Sequence, residues 1–135
     1  MDIMLIRPSQ MRAFRREAER LFVDDTAAHL RQHYPEHVSG LHEEVLKAMV
    51  RGGIARGRGH GLTLRSTLTA FVALMFVVSP NFDEQPTIYE VLNNENLHPD
   101  SRLDVLTAMT TDEDWREAAA IYDVDEWVLE EGEDG

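Results

Sequence analysis

Residues 64–78 read Leu-Arg-Ser-Thr-Leu-Thr-Ala-Phe-Val-Ala-Leu-Met-Phe-Val-Val, and after Thr69 the run is apolar without interruption. Leu64, Leu68, Phe71 and Met75 recur at helical spacing, and Pro80 ends the segment. A helix apolar on nearly every side is stable only when other elements surround it. The nine apolar residues from Ala70 to Val78 fall far short of the about 20 that a membrane span needs. The expectation is therefore an all-α, compact bundle of about five to six helices around a buried central helix at 64–78. No membrane-spanning segment is expected.

The flanking sequence supplies the other helices. Met11, Phe14, Ala18, Leu21 and Phe22, then Ala28 and Leu30, recur at three- and four-residue intervals. This predicts an amphipathic helix from about 9 to 33, with Ser9 as N-cap, the arginines mainly on the other face, and an end before Pro35. A second helix over about 41–56 points Leu41, Val45, Leu46, Met49, Val50 and Ile54 inward. Gly52-Gly53 lies inside it, where each glycine costs about 1 kcal/mol relative to alanine. Close helix–helix approach is one reason to keep the pair. Gly57, Gly59 and Gly61 are read as a turn, and Thr63 as the cap of the central helix. Shorter helices follow at about 86–94, 99–109 and 112–122, the last capped by Thr111. One domain, 1–125, and an acidic tail, 126–135, complete the plan. Homodimerisation on exposed faces of the first helices is compatible with it.

At 135 residues the chain can bury a true core. It has no cysteine, which excludes disulfides and thiolate metal sites. The net charge of −12 is unevenly spread. Residues 1–65 carry 11 Lys and Arg against 8 Asp and Glu; residues 66–135 carry 2 against 17. The acidic half repels phosphate backbones, so nucleic acid is not an expected partner. Its plain reading is solubility, and its sharper one a face for a basic partner.

No constellation points to catalysis, a metal or a cofactor. His29, His33 and His37 are spaced by four, but Pro35 interrupts the helix between the last two. His42-Glu43-Glu44 has no second histidine four residues on. Gly57-Arg58-Gly59-His60-Gly61 lacks the strand before it and the lysine or acid after it that a phosphate loop needs. Asp83-Glu84 and Asp112-Glu113-Asp114 sit where helix starts favour acids. The residues with most binding potential are Trp127 and Leu129, an apolar anchor in an acidic tail, and Arg51, Arg56 and Arg58, a basic cluster for an anion or acidic segment. Trp127 either docks on its own domain or meets a partner.

Several landmarks occur in a familiar order. Tyr34-Pro35 closes the first helix. Gly53-Ile54-Ala55-Arg56 is followed by His60-Gly61-Leu62-Thr63, then Phe71-Val72-Ala73-Leu74-Met75-Phe76 and Ser79-Pro80-Asn81-Phe82-Asp83, then Leu92, Leu97, Arg102-Leu103 and Leu106. Over residues 10–107 this resembles small helical accessory proteins encoded beside type VI secretion effectors, spike proteins and adaptor chaperones in Gram-negative bacteria. His60 and Ser79 stand where that pattern has an aromatic and a glycine. The resemblance implies a cytoplasmic, non-enzymatic co-chaperone that binds an effector, its adaptor chaperone or the spike tip, without a cofactor. The alternative is an immunity protein that inhibits a cognate toxin.

Overall fold

The computed structural model describes residues 7–127. Among them are seven α-helices and no strand: α1 (Pro8–His33), α2 (Pro35–Val38), α3 (Glu43–Gly59), α4 (Arg65–Val77), α5 (Pro86–Leu92), α6 (Arg102–Met109) and α7 (Asp112–Ala120). Single 3-10 turns lie at Phe82–Glu84, Pro99–Ser101 and Val124–Glu126. The all-α bundle expected from the sequence is what forms. None of these helices is long and apolar enough to cross a membrane.

Helix ends follow local chemistry, with two departures from expectation. Pro8, not Ser9, opens α1, because a proline costs nothing at the first helical position. Thr63 does not cap α4. Asp100 arrives from the 3-10 turn ahead of α6 and does so, its Oδ1 accepting from the Thr63 and Leu64 N–H groups at 2.9 and 3.0 Å and its Oδ2 from the Thr63 hydroxyl at 2.7 Å. These three bonds hold the Asp100 carboxyl at about 2, below its ordinary value of 3.8. Thr111 caps α7 as read: its Oγ1 accepts from the Asp114 N–H, and the Asp114 carboxylate accepts from the Thr111 N–H.

The core is built on the α3–α4 crossing. Leu46, Val50 and Ile54 of α3 face Leu68, Phe71, Val72 and Met75 of α4, and all are essentially buried. Two glycines four residues apart, Gly53 and Gly57, line the contact. A Cβ on Gly57 would lie 2.9 Å from Leu68 Cδ2, and one on Gly53 would lie 3.0 Å from Val72 Cγ2. The glycine needed for close approach is therefore Gly53 with Gly57, rather than the Gly52-Gly53 pair. Gly57 and Gly59 also belong to α3, not to the turn predicted there. The turn falls on His60-Gly61, where Gly61 takes φ +90°.

The sequence makes α4 a helix buried all round; the structure leaves one side uncovered. Leu68, Phe71, Val72 and Met75 are buried, but Ala70 is exposed, Leu74 half-buried and Val77 42% exposed. The first half of α1 also departs from its predicted face. Phe22, Val23, Thr26, Ala27 and Leu30 enter the core, whereas Phe14 is 70% and Leu21 46% exposed. The interval pattern runs the length of α1, but Glu19 already meets Arg58 at the far end of α3, so the first turns extend past the body.

Candidate partner-binding surfaces

The predicted basic cluster is not one open patch. Arg51 and Arg58 are two turns apart and share a face of α3; Arg56 points elsewhere. Arg56 is consumed within the fold. Its Nε and Nη2 donate to the two Asp83 oxygens at 2.8 and 2.9 Å, Nη2 also reaches Glu84 at 3.1 Å, and Nη1 donates to Glu126 at 2.9 Å. Arg58 makes a two-bond pair with Glu19. Arg51 is exposed beside a cleft that Arg16, Glu19, Arg20 and Glu44 also line.

Asp83, 2% exposed, is the buried centre of this network. His60 Nε2 lies 2.8 Å from its Oδ2, and His60 Nδ1 lies 3.3 Å from Asn93 Oδ1. Burial works against the Asp83 carboxylate, but the bonds from His60 and Arg56 outweigh it and hold the group below its ordinary value. Burial likewise disfavours the Arg56 charge, and the three carboxylates around it more than restore it.

The segment that ends α4 is a clamp. Ser79 Oγ donates to the Ala118 carbonyl at 2.8 Å, and Asn81 Nδ2 to the Ile121 carbonyl at 2.7 Å. Asn81 Oδ1 accepts from the Asp123 N–H at 3.0 Å, and Gln85 Nε2 donates to Glu117 at 2.9 Å. All three side chains are buried. The clamp fastens α7 and the chain beyond it, and Arg56–Glu126 completes the fastening. Trp127 closes the same seam. Its ring packs 4.7 Å from Phe76, and its Nε1 donates to the Tyr122 hydroxyl at 3.2 Å. Trp127 therefore docks on its own domain, and residues 126 and 127 belong to the folded body rather than to a tail. Leu129, the other half of the predicted anchor, lies outside the described residues.

The surface that sequence reasoning missed is the bare side of α4. Two adjoining clefts lie along it, of about 500 and 380 Å³. Both are lined by Tyr34, Ala70 and Ala73. The first is bounded by Phe22, Asp25 and His29 of α1 and by Arg65 of α4, whose guanidinium lies 5.2 Å from the Phe22 ring centre; the second is bounded by Leu74, Val77, Leu103 and Trp115. Thr26, 2% exposed at the wall of the first, has a hydroxyl with no hydrogen-bond partner among the described residues. The sequence did carry a trace of this groove. Ala70 and Ala73 are the small residues in an otherwise bulky helix, and small side chains make a depression rather than a ridge.

The histidine series does not gather. The His29 and His33 rings are 4.5 Å apart, while His37 sits on α2 beside Glu36. Among the described residues no three His, Asp or Glu side chains converge as metal ligands would. No protein-family model, curated protein or solved structure matches this chain.

Proposed function

We propose that this chain is a non-enzymatic adaptor that holds an amphipathic helix of a client protein in the groove along α4. The observation that carries the reading is the uncovered apolar side of the most apolar helix. Ala70, Ala73, Leu74 and Val77 form a floor, and Tyr34, Leu103 and Trp115 stand beside it. A groove with an apolar floor and aromatic walls takes the apolar face of a helix, read at every third or fourth residue. Asp25 and Arg65 balance each other at the first cleft, whereas Asp104 at the second has no cation beside it and favours a client with a basic residue next to its apolar anchors.

The class of client comes from the resemblance of residues 10–107. It names a type VI secretion effector, its adaptor chaperone or the spike tip, and a role in loading the effector before delivery. In this chain the Ser79–Asp83 segment holds the C-terminal helix and Arg56 to the body. Ser79 and Asn81 secure α7, and Asp83 secures Arg56.

The test pairs the wild-type chain with Ala70→Arg, which puts a long charged side chain across the floor at an exposed helical position. The wild type should co-purify with an effector, adaptor chaperone or spike protein from cells expressing that system, and the variant should not. Effector delivery should fall in the same variant. Equal recovery by both chains removes the groove from the argument. Protection of cells from a toxin, with no effect on delivery, replaces the adaptor reading with an immunity protein.

A further inference from the structure

The first turns of α1 form an arm with its own unused chemistry. Met11, Phe14, Ala18, Leu21, Asp25 and Ala28 recur at alternating three- and four-residue intervals. This is the seven-residue repeat of helices that pair along a seam. Phe14 and Leu21 are exposed on it. Arg7, Arg12, Arg15 and Arg16 flank it, all exposed, and none pairs with an acid among the described residues. At the α4 groove the acids Asp25 and Asp104 and the cation Arg65 are also without an ion-pair partner there.

We infer that the groove of one copy receives the α1 arm of a second copy, and that this reciprocal dimer is the client-free state of the protein. The regulatory half of this statement rests on the client-groove reading above. The arm cannot fill its own groove. It is continuous with the same unbroken helix, Pro8–His33, whose later residues Phe22, Asp25 and His29 form one groove wall. Only another molecule can bring an arm there.

The geometry suits two-fold symmetry. An α1 helix laid antiparallel on its copy, with the axis near Leu21 and Phe22, sets Phe14 opposite His29 and Ala18 opposite Asp25. Each Phe14 then enters the cleft of Phe22, Ala70, Ala73 and Tyr34. Arg15 then lies within a turn of Asp25 of the other copy. The same patch faces itself, as an isologous interface requires. Parallel pairing would set arm against arm and oppose the arginines, which selects the antiparallel arrangement. A client helix with stronger anchors competes for the groove and releases the monomer.

The experiment measures molar mass by light scattering during size-exclusion chromatography of the full chain, over a dilution series. Circular dichroism checks that each variant folds; Phe14 and Ala70 are exposed, so both should. The wild type should run at twice 15.4 kDa and dissociate on dilution. Phe14→Glu and Ala70→Arg should each raise the dissociation constant by at least about tenfold, the effect expected for losing a central interface anchor. Mixing the two variants should restore a heterodimer, because the Phe14→Glu chain keeps an intact groove and the Ala70→Arg chain an intact arm. Client capture should survive in Phe14→Glu and fail in Ala70→Arg. A wild-type monomer at every concentration overturns the dimer while leaving the adaptor reading intact. A dimer that ignores both substitutions overturns the arm–groove contact. A dimer that behaves as described, with client capture unaffected by Ala70→Arg, supports the pairing and defeats the client groove and the competition built on it.

Discussion

Replacing Asp83 with asparagine removes one charge from the buried network and almost no volume. The wild-type carboxylate accepts two bonds from Arg56 and one contact from His60. Its side chain is 3% exposed and that of Arg56 22%. Removing one partner of a fully buried ion pair costs about 3–5 kcal/mol. Two features reduce that figure. Arg56 keeps Glu84 and Glu126, and the carbonyl oxygen of the introduced amide can still accept one hydrogen bond. The expected loss is about 2–3 kcal/mol. Unfolding entropy near 2.1 cal/mol/K per residue makes 1 kcal/mol worth about 3.5 °C in a chain of this size. The melting temperature should therefore fall by about 7–11 °C, read by circular dichroism or calorimetry at neutral pH. The wild type should also carry an acid-side signature. Asp83 titrates below its unfolded value, so its contribution is complete above that value and is lost as pH falls through the folded one. Stability of the wild type should decline below about pH 4, and Asp83→Asn should decline less steeply there. A double-mutant cycle with Arg56→Met should give a coupling of about 1.5–3 kcal/mol. A loss below about 0.5 kcal/mol, or no coupling, would refute the idea that this pair holds the turn after α4 onto α3.

Three further outcomes follow from the packing. Gly57→Ala should cost about 1–2 kcal/mol by denaturant titration, since the clash with buried Leu68 and Phe71 exceeds the about 1 kcal/mol of helix propensity gained; a stabilised variant would mean that α3 and α4 separate freely. Asp100→Ala should destabilise the start of α4, seen as faster amide exchange at Thr63 to Leu68, and in the wild type this cap should persist down to pH 4 and fail as pH falls toward about 2; unchanged exchange would remove Asp100 as the cap. Trp127→Ala should lower stability by about 1–2 kcal/mol through lost packing on Phe76, while leaving client capture intact; loss of capture without loss of stability would return Trp127 to the partner surface.

Much of the fold was legible because helices answer to local rules. The spacing of apolar residues, Pro8, Pro35, Pro80, Pro86 and Pro99 as punctuation, and Thr111 as a cap act within a turn or two of chain. These features marked most helix boundaries to within a few residues. The α4 cap was missed because the capping oxygen belongs to Asp100, 36 residues away. No local rule carries that distance.

The sequence by itself determined that this chain is a bundle of helices with a nearly all-apolar member and a charge split between its halves. Hydrophobic periodicity and turn chemistry suffice for that, because each is satisfied by neighbours in the chain. Only the tertiary structure decided which apolar residues are covered. Phe14 and Phe22 belong to one periodic pattern, yet the body ends between them, leaving the first in solvent and the second in the core. It likewise turned Arg56 from a candidate binding residue into a structural hub and Trp127 from a candidate anchor into part of the seam. It also left the side of α4 at Ala70 and Val77 open. Burial depends on where other elements stop, and charge pairing on which distant acids arrive. Both are set by the packing of whole helices rather than by the residues that take part.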